Sequence, residues 1–289
     1  MEGDRIWLND RLASAAEAAS DIDALLSANY IYQDIQTLAH ASPFLERHLQ
    51  LAGDALLSIH GRNADGELAC TSARTDRQCG GAGEAEGRTV TPHLPSVEQL
   101  AGAIREVLRE NRYPTGSALV RLYLVPDRWM ASCVRQQLYD GMVLWHNRLR
   151  AISLRYEAPF ASRQCAVSLM CAGVADAYAA RCGAEICVRS DHAGVLSSAG
   201  DHTLVAVAGR VGYLTPLGDG APEEVYRDVA IDCFARAKIE LRHEAIREEV
   251  AYDEMMVFGP QGITSLKSLD EQMFYNTAAL KLSLALPKM

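Results

Sequence analysis

Lysine is nearly missing from this chain: of its 28 basic residues only four are lysines, at positions 238, 267, 281 and 288, and none occurs in the first 237. Any reaction that needs a primary amine, Schiff-base formation above all, must draw on those four. The eight cysteines, at 70, 79, 133, 165, 171, 182, 187 and 233, contain no Cys-x-x-Cys spacing and have no His-x-His beside them. That pattern excludes a zinc site of the usual spacing, and no metal is expected. Cys171 and Cys233 fall inside helical stripes and read as small buried apolar side chains, whereas Cys70 and Cys79 lie in a polar loop. Clustered Lys and Arg are also lacking, and with a net charge of −9 and a pI near 5.4 this argues against nucleic acid or an anionic membrane as partner. No run is apolar enough to span a bilayer, and the start, Met1-Glu2-Gly3-Asp4-Arg5, lacks the basic and apolar regions of a secretion signal, so a cytoplasmic location is expected.

What is present suits a folded protein. With 49% apolar residues over 289 positions, the chain can fill the cores of two domains of ordinary size. Ile6-Trp7-Leu8-Asn9 reads as a strand, and Tyr30-Ile31-Tyr32 opens a second one. Ser42-Pro43 has the form of an N-cap followed by proline at the first helical position, with Leu45, Leu49, Ala52 and Leu56 on one face behind it. From Gly61 to Pro95 the composition turns to Gly, Ser, Thr and charge, which reads as an inserted loop. Ser96-Val97-Glu98-Gln99 is a capping-box sequence that opens a helix ending near Asn111, and Ala118 to Leu124 reads as a buried strand.

Residues 126–147 show no clean period and are assigned to the connection between domains. Beyond it, Phe160 to Cys182 is an Ala-rich helix stopped by Gly183, and Ala184 to Val188 is strand-like. Two strands flank Gly209-Arg210 as a hairpin, and residues 223–238 carry an amphipathic helical stripe. Glu254 to Phe258 reads as a late strand before the Gly259-Pro260-Gln261-Gly262 turn.

Several short signatures recur in a fixed order along these elements: Trp7-Leu8-Asn9, Tyr32-Gln33-Asp34, Pro43-Phe44 with His48, Asn111 before Arg121-Leu122-Tyr123, Thr215-Pro216, Arg227-Asp228 and Asp253-Glu254. Together they resemble the class IV (fold type IV) aminotransferases, the family of D-amino acid aminotransferase, branched-chain aminotransferase and aminodeoxychorismate lyase, over nearly the whole chain. The resemblance implies an α+β fold of two domains, residues 1–125 with the 61–95 insertion and residues 148–289, paired as a homodimer. It also implies pyridoxal phosphate, and here the sequence departs from the family. Ile152 stands four residues before Tyr156, where the family carries its lysine, and Ser197-Ser198-Ala199 replaces the glutamate that protonates the pyridine ring. Leu51 takes the place of the phosphate-binding arginine, although Arg47 is close, and Glu224-Val225-Tyr226 replaces a Gly-Ile-Thr anion cradle. Pro260 follows Gly259 where the family has threonine, removing an N–H. Together these losses imply that the coenzyme is absent.

The cleft between the domains then remains as the small-molecule site. The positions the resemblance carries there are Tyr32, Arg155, Tyr156, Asp201, His202, Glu224 and Gln261. His202, Glu224, Tyr156 and Asp201 are the catalytic candidates, since imidazole oriented by a carboxylate titrates near neutral pH. Against this, adjacent strand residues point to opposite faces, which sets Asp201 away from His202, and Glu224 also suits a first-turn helix carboxylate. Arg155 would clamp a substrate carboxylate, or form a surface ion pair, and Gln261 joins Tyr32 and Arg155 as a binding candidate. Three functions follow: a cofactor-free enzyme acting on an acid or acyl substrate by lyase, cyclisation, condensation, isomerisation or hydrolysis chemistry; a non-catalytic partner subunit; or an aminotransferase whose lysine has moved, with Lys267 as the candidate.

Overall fold

The computed structural model describes residues 3–38, 41–61, 68–69, 89–90, 93–113, 118–136 and 141–287. Cys70, Cys79, Lys288 and most of the 61–95 insertion lie outside them. The elements run β1 (Arg5–Leu8), β2 (Arg11–Ser14), α1 (Ala19–Leu26), β3 (Ile31–Gln36), α2 (Leu45–His60), β4 (Leu68–Ala69), β5 (Thr89–Val90), α3 (Val97–Glu110), β6 (Ala118–Val125), β7 (Arg128–Gln136) and β8 (Val143–Arg155). They continue with α4 (Ala166–Arg181), β9 (Ile186–Ser190), β10 (Val195–Ala199), β11 (His202–Ala208), β12 (Val211–Tyr213), α5 (Val225–Ala237), β13 (Glu240–Arg242), β14 (Ile246–Arg247), β15 (Glu254–Gly259), β16 (Gly262–Leu269), β17 (Gln272–Met273) and α6 (Thr277–Ser283).

The first sheet has the order β2-β1-β7-β6-β3, antiparallel throughout. One face buries Ile31, Ile35, Val120, Leu122, Leu124, Trp129 and Ala131 against Ala52, Leu56, Leu100 and Ile104 of α2 and α3. Alternation along β3 therefore sends Ile31, Gln33 and Ile35 to the helices and Tyr32, Asp34 and Gln36 to the opposite face. All six β3 side chains are buried, and β3 is the edge strand, so this polar face must be covered by the other half of the molecule. The capping box at Ser96 is complete, with Ser96 Oγ accepting from Gln99 N at 3.2 Å and Gln99 Oε1 from Ser96 N at 2.8 Å. Ser96→Ala is expected to cost ~1 kcal/mol in urea denaturation, the usual loss for an exposed cap.

The second sheet closes on itself. Strands β11, β15, β16, β8, β9 and β10 pair in succession, and β10 returns to β11 through Ser198↔Thr203 and Ala199↔His202. Leu196, Leu204, Met255, Val257, Leu266 and Val188 fill this barrel. Helix α4 lies outside on β9 through Ala175 and Ala179, small side chains that let the helix come close, while α5 and α6 pack on β11 and β15 through Val229, Phe234, Ala279 and Leu282. At Gly262 (φ +110°) any β-carbon would sit 2.3 Å from the Val143 carbonyl, so the β16–β8 pairing requires glycine there.

Three sequence expectations change. The 126–147 segment, read as the irregular connection, contains β7, a full member of the first sheet, and the start of β8 in the second. Helix α2 begins at Leu45, because Phe44 takes a left-handed conformation (φ 66°) and separates Pro43 from the first turn. Helix α4 begins at Ala166, capped by Cys165, and left-handed Phe160 (φ 56°) lies in the turn before it. The Gly209-Arg210 hairpin, the α5 stripe and the late strand with its turn form as read. Cys233 is buried, and Cys171 is half-buried.

Candidate functional site

The polar face of β3 meets the β10–β11 hairpin and the start of α5, and four of the seven predicted residues meet there. Tyr32 is fully buried, and its hydroxyl donates to Asp201 Oδ2 at 2.5 Å. The other carboxylate oxygen of Asp201 lies 3.6 Å from His202 Nε2, and His202 Nδ1 is 3.1 Å from Glu224 Oε2. Glu224 Oε1 accepts from Thr203 N at 2.6 Å and Thr203 Oγ1 at 2.7 Å. Tyr32, Asp201, His202 and Glu224 thus form one chain of polar contacts across the seam. Asp201 was expected to face away from His202, yet the two touch: Gly200 (φ 58°) and Asp201 form the hairpin turn, where strand alternation no longer applies. Glu224 is the N-cap residue of α5 but makes no capping bond with its side chain. Gly259 packs on the His202 ring, where a β-carbon would lie 3.3 Å away.

The electrostatics follow from two carboxylates around one imidazole. Asp201 and Glu224 outweigh the burial of His202 and raise its pKa to about 10. The ring is therefore an imidazolium at neutral pH, in contrast to the titration near pH 7 anticipated from its type. Asp201 stays below the usual carboxylate range: burial pushes its carboxyl up, but His202 and the Tyr32 hydrogen bond hold it down. Burial raises Glu224, and burial with the neighbouring Asp201 and Asp34 charges keeps the Tyr32 phenol protonated.

A second buried pair adjoins this chain. Asp34 and Arg121 sit opposite each other on β3 and β6, and the guanidinium holds both carboxylate oxygens, Nε to Oδ1 at 2.6 Å and Nη2 to Oδ2 at 2.8 Å. Arg121 also lies 4.8 Å from the centre of the Tyr32 ring. Tyr226 donates to the Asp34 carbonyl at 2.7 Å and stands edge-on to His48 and His202. Asp34, Asp201 and His202 bring ligand atoms within 4.8 Å of one another, the one such metal-capable group among the described residues. Both Asp34 oxygens, however, are already engaged by Arg121.

The cleft beside this chain is lined by Tyr32, Asp201, Tyr156, Arg189, Gln164 and Arg163, with Ser168, Ser198 and alanines between them. It is tight, with about 20 Å³ open to the centre of a water-sized sphere. Asp201 is its only carboxylate among the described residues, while His202 and Glu224 stand behind the wall. Tyr156 lines it, as anticipated, and burial pushes its phenol up to about 12. Two predicted binding residues are elsewhere. Arg155 is exposed and pairs with Glu248 at 2.9 Å, because it is the last residue of β8 and points away from the side Tyr156 occupies. Gln261 is in the β15–β16 turn, where its carbonyl accepts from Val143 N at 3.0 Å, outside the cleft.

The positions compared with a coenzyme site are likewise placed. Ile152 packs beside Ala175 and Ala179 and does not line the cleft. Leu51 is buried in the α2 core, and Arg47 pairs with Asp228 at 2.7 Å. Lys238, Lys267 and Lys281 are exposed, and no lysine lines the cleft among the described residues. Sequence reasoning missed Arg189 and Gln164 as cleft residues. It used Asp34 and Arg121 only as landmarks, although acidic and amide residues inside a strand as apolar as Ile31–Gln36 are a signal of partnered burial.

No family profile and no curated protein matches this sequence. Solved structures do. The branched-chain amino acid aminotransferase of Escherichia coli superposes with a TM-score of 0.72 at 17% identity, covering 94% of this chain and 88% of that one. The branched-chain aminotransferase of Thermoproteus uzoniensis, solved with norvaline, gives 0.73 at 16% identity over 98% and 93%. A proposed 4-amino-4-deoxychorismate lyase from Legionella pneumophila gives 0.68 at 13% over 89% and 90%. Likeness at this identity establishes architecture alone: the chain has the two-domain α+β fold of the class IV, fold type IV, aminotransferases.

Proposed function

We propose that this protein is an enzyme of small-molecule metabolism that works without pyridoxal phosphate, using Asp201 in the interdomain cleft for acid–base chemistry on a small organic acid. The observation that carries this reading is the Tyr32–Asp201–His202–Glu224 chain, which delivers one carboxylate to the cleft wall and fixes it from behind. An ionised Asp201 accepts a proton from substrate. The His202 imidazolium, oriented by Glu224, balances the Asp201 charge, and Tyr32 fixes the carboxylate rotamer. The Tyr156 hydroxyl, protonated at neutral pH, is a donor on the cleft wall for an oxygen of the substrate acid. Proton abstraction next to a carbonyl, the first step of isomerisation and of many eliminations, needs just this set.

The coenzyme does not fit the residues present. A covalent link needs an amine, and the described lysines are exposed away from the cleft, Lys267 on β16 included. The position compared with the anion cradle is occupied by buried Glu224. These observations support a cofactor-free reading over a displaced lysine.

The test is proton exchange. Incubating the protein in D₂O with a panel of small 2-oxo and 3-oxo acids, followed by ¹H NMR, is expected to reveal catalysed loss of a carbon-bound proton in at least one of them. Asp201→Asn should slow that exchange by a factor of about 10²–10⁴, the range for removing a positioned general base. Exchange undiminished in Asp201→Asn would remove Asp201 from the chemistry. A binding subunit is the alternative, favoured by Met170, Val174 and Tyr178, which are 63%, 67% and 47% exposed along one ridge of α4. The resemblance makes a second copy of the chain its occupant, and light scattering on wild type and Val174→Glu checks this: a dimer that the substitution dissociates supports the ridge as its interface.

A further inference from the structure

We propose that the cleft carries a built anchor for one small carboxylate, gripped by Arg189 together with the Gln164 amide and the Tyr156 hydroxyl. This rests on the cleft being the working site and names the class of group that enters it.

Arg189 is 7% exposed on β9, opposite Ser198 of β10. Of the five N–H groups of a guanidinium, the described residues engage two: Nε donates to Ser197 Oγ at 2.9 Å and Nη2 to the Gly220 carbonyl. Among the described residues no carboxylate lies within 4.0 Å of Arg189, whereas Arg163, the other cleft arginine, is paired with Glu223. Arg121 next door is paired as well. Burial pulls the Arg189 pKa down, as it does for a cation removed from water without full compensation. Its remaining donors, on the Nη edge, are the ones that match the two oxygens of a carboxylate.

Gln164 supplies the second, independent observation. It is 4% exposed, it lines the same cleft, and its Nε2 has no hydrogen-bond partner among the described residues. An orphaned buried donor costs about 1–3 kcal/mol, which a ligand oxygen would relieve. The Tyr156 hydroxyl is a third donor on this wall, while Ser198 and Ser168 already donate to the carbonyls of Gly200 and Arg163. At the other end Asp201 is held by His202 and Tyr32. Asp201 and Glu224 together outnumber the one His202 cation, so the cleft is cationic at the Arg189 end and anionic toward the Asp201 end. A ligand aligns with its carboxylate on Arg189 and its reacting atoms toward Asp201. One guanidinium without a carboxylate partner among the described residues, beside a neutral amide and phenol, matches a monoanion over a dianion, and its flat Nη edge suits a planar carboxylate.

Calorimetric titration of the full-length protein with acetate, phosphate and chloride at fixed ionic strength tests the assignment. One acetate per chain is expected, with Arg189→Gln weakening it at least about 30-fold and Gln164→Met about 5-fold, the losses for a buried charged and a neutral hydrogen-bond partner. If Arg189→Gln does not fold, Gln164→Met and Tyr156→Phe carry the comparison. Acetate binding unchanged in the variants that fold, or phosphate or chloride held as tightly as acetate, overturns the proposal. The two readings fail separately. Acetate bound through Arg189 by a protein that exchanges no substrate proton leaves the anchor and removes the enzyme. Exchange that depends on Asp201 but ignores Arg189→Gln does the reverse.

Discussion

Glu224→Ala is expected to lower folding stability by about 3–5 kcal/mol, the cost of breaking a buried ion pair from one side. The wild-type carboxylate is shut off from solvent and accepts three hydrogen bonds, from Thr203 N, Thr203 Oγ1 and the His202 ring. Alanine leaves all three donors unpaired inside the protein, with a cavity beside them. Glu224→Gln separates charge from volume, because its amide oxygen still serves Thr203. What it loses is the anion facing the imidazolium, so the His202 pKa should fall from about 10.

That shift has a defined sign in pH. A histidine holding its proton to about 10 when folded, against about 6.5 when unfolded, contributes stability that is complete below pH ~6.5. The contribution is lost as pH rises through the folded value. The raised carboxyl of Glu224 acts in the same sense at lower pH, since its contribution also falls as pH rises from the usual carboxylate range through the folded value. Urea titrations across this alkaline window should therefore show wild-type stability declining with pH and Glu224→Gln declining less. Equal slopes would mean that His202 is not held charged by Glu224.

Arg121→Ala should be of comparable size, about 3–5 kcal/mol. It strips a 3%-exposed Asp34 of both its hydrogen bonds from Arg121 and leaves that carboxylate close to Asp201, with like charges facing across the seam. It also removes the cation above the Tyr32 ring. Arg121→Lys keeps the charge but loses the two-pronged contact, and should fall between. Asp34→Asn in the Arg121→Ala background removes the stranded charge, so the double variant is expected to be more stable than Arg121→Ala alone. A double-mutant cycle with no coupling between 34 and 121 would contradict the pair's place in the seam.

The frame was legible wherever a local pattern decides local structure. Ser96-x-x-Gln99 forms its capping box, Gly209 its hairpin and the Val229–Phe234 stripe its helix, because each depends on residues a few positions apart. Strand β7 escaped notice for a physical reason: Trp129, Met130, Ala131, Ser132 and Cys133 are buried on both faces, so no alternation marks them. At the site, the pairing of His202 with Glu224 could be guessed from type and position. Arg121 with Asp34 could not, since the two are 87 residues apart and meet only through strand register. Arg189 and Gln164 carry no local signature at all; they matter because the tertiary fold leaves their donors at the cleft. Arg155 shows the converse, a basic residue next to cleft-lining Tyr156 that strand geometry turns to solvent.

On the proposed reading, the fold of a coenzyme-dependent family here serves a cleft without the coenzyme. Incubating purified protein with pyridoxal phosphate, removing the excess by gel filtration, reducing with borohydride and mapping any adduct by peptide mass spectrometry addresses it directly. The account predicts a colourless protein with no stoichiometric pyridoxyl modification. Retained visible-range absorbance that borohydride fixes on one of Lys238, Lys267, Lys281 or Lys288 would contradict it.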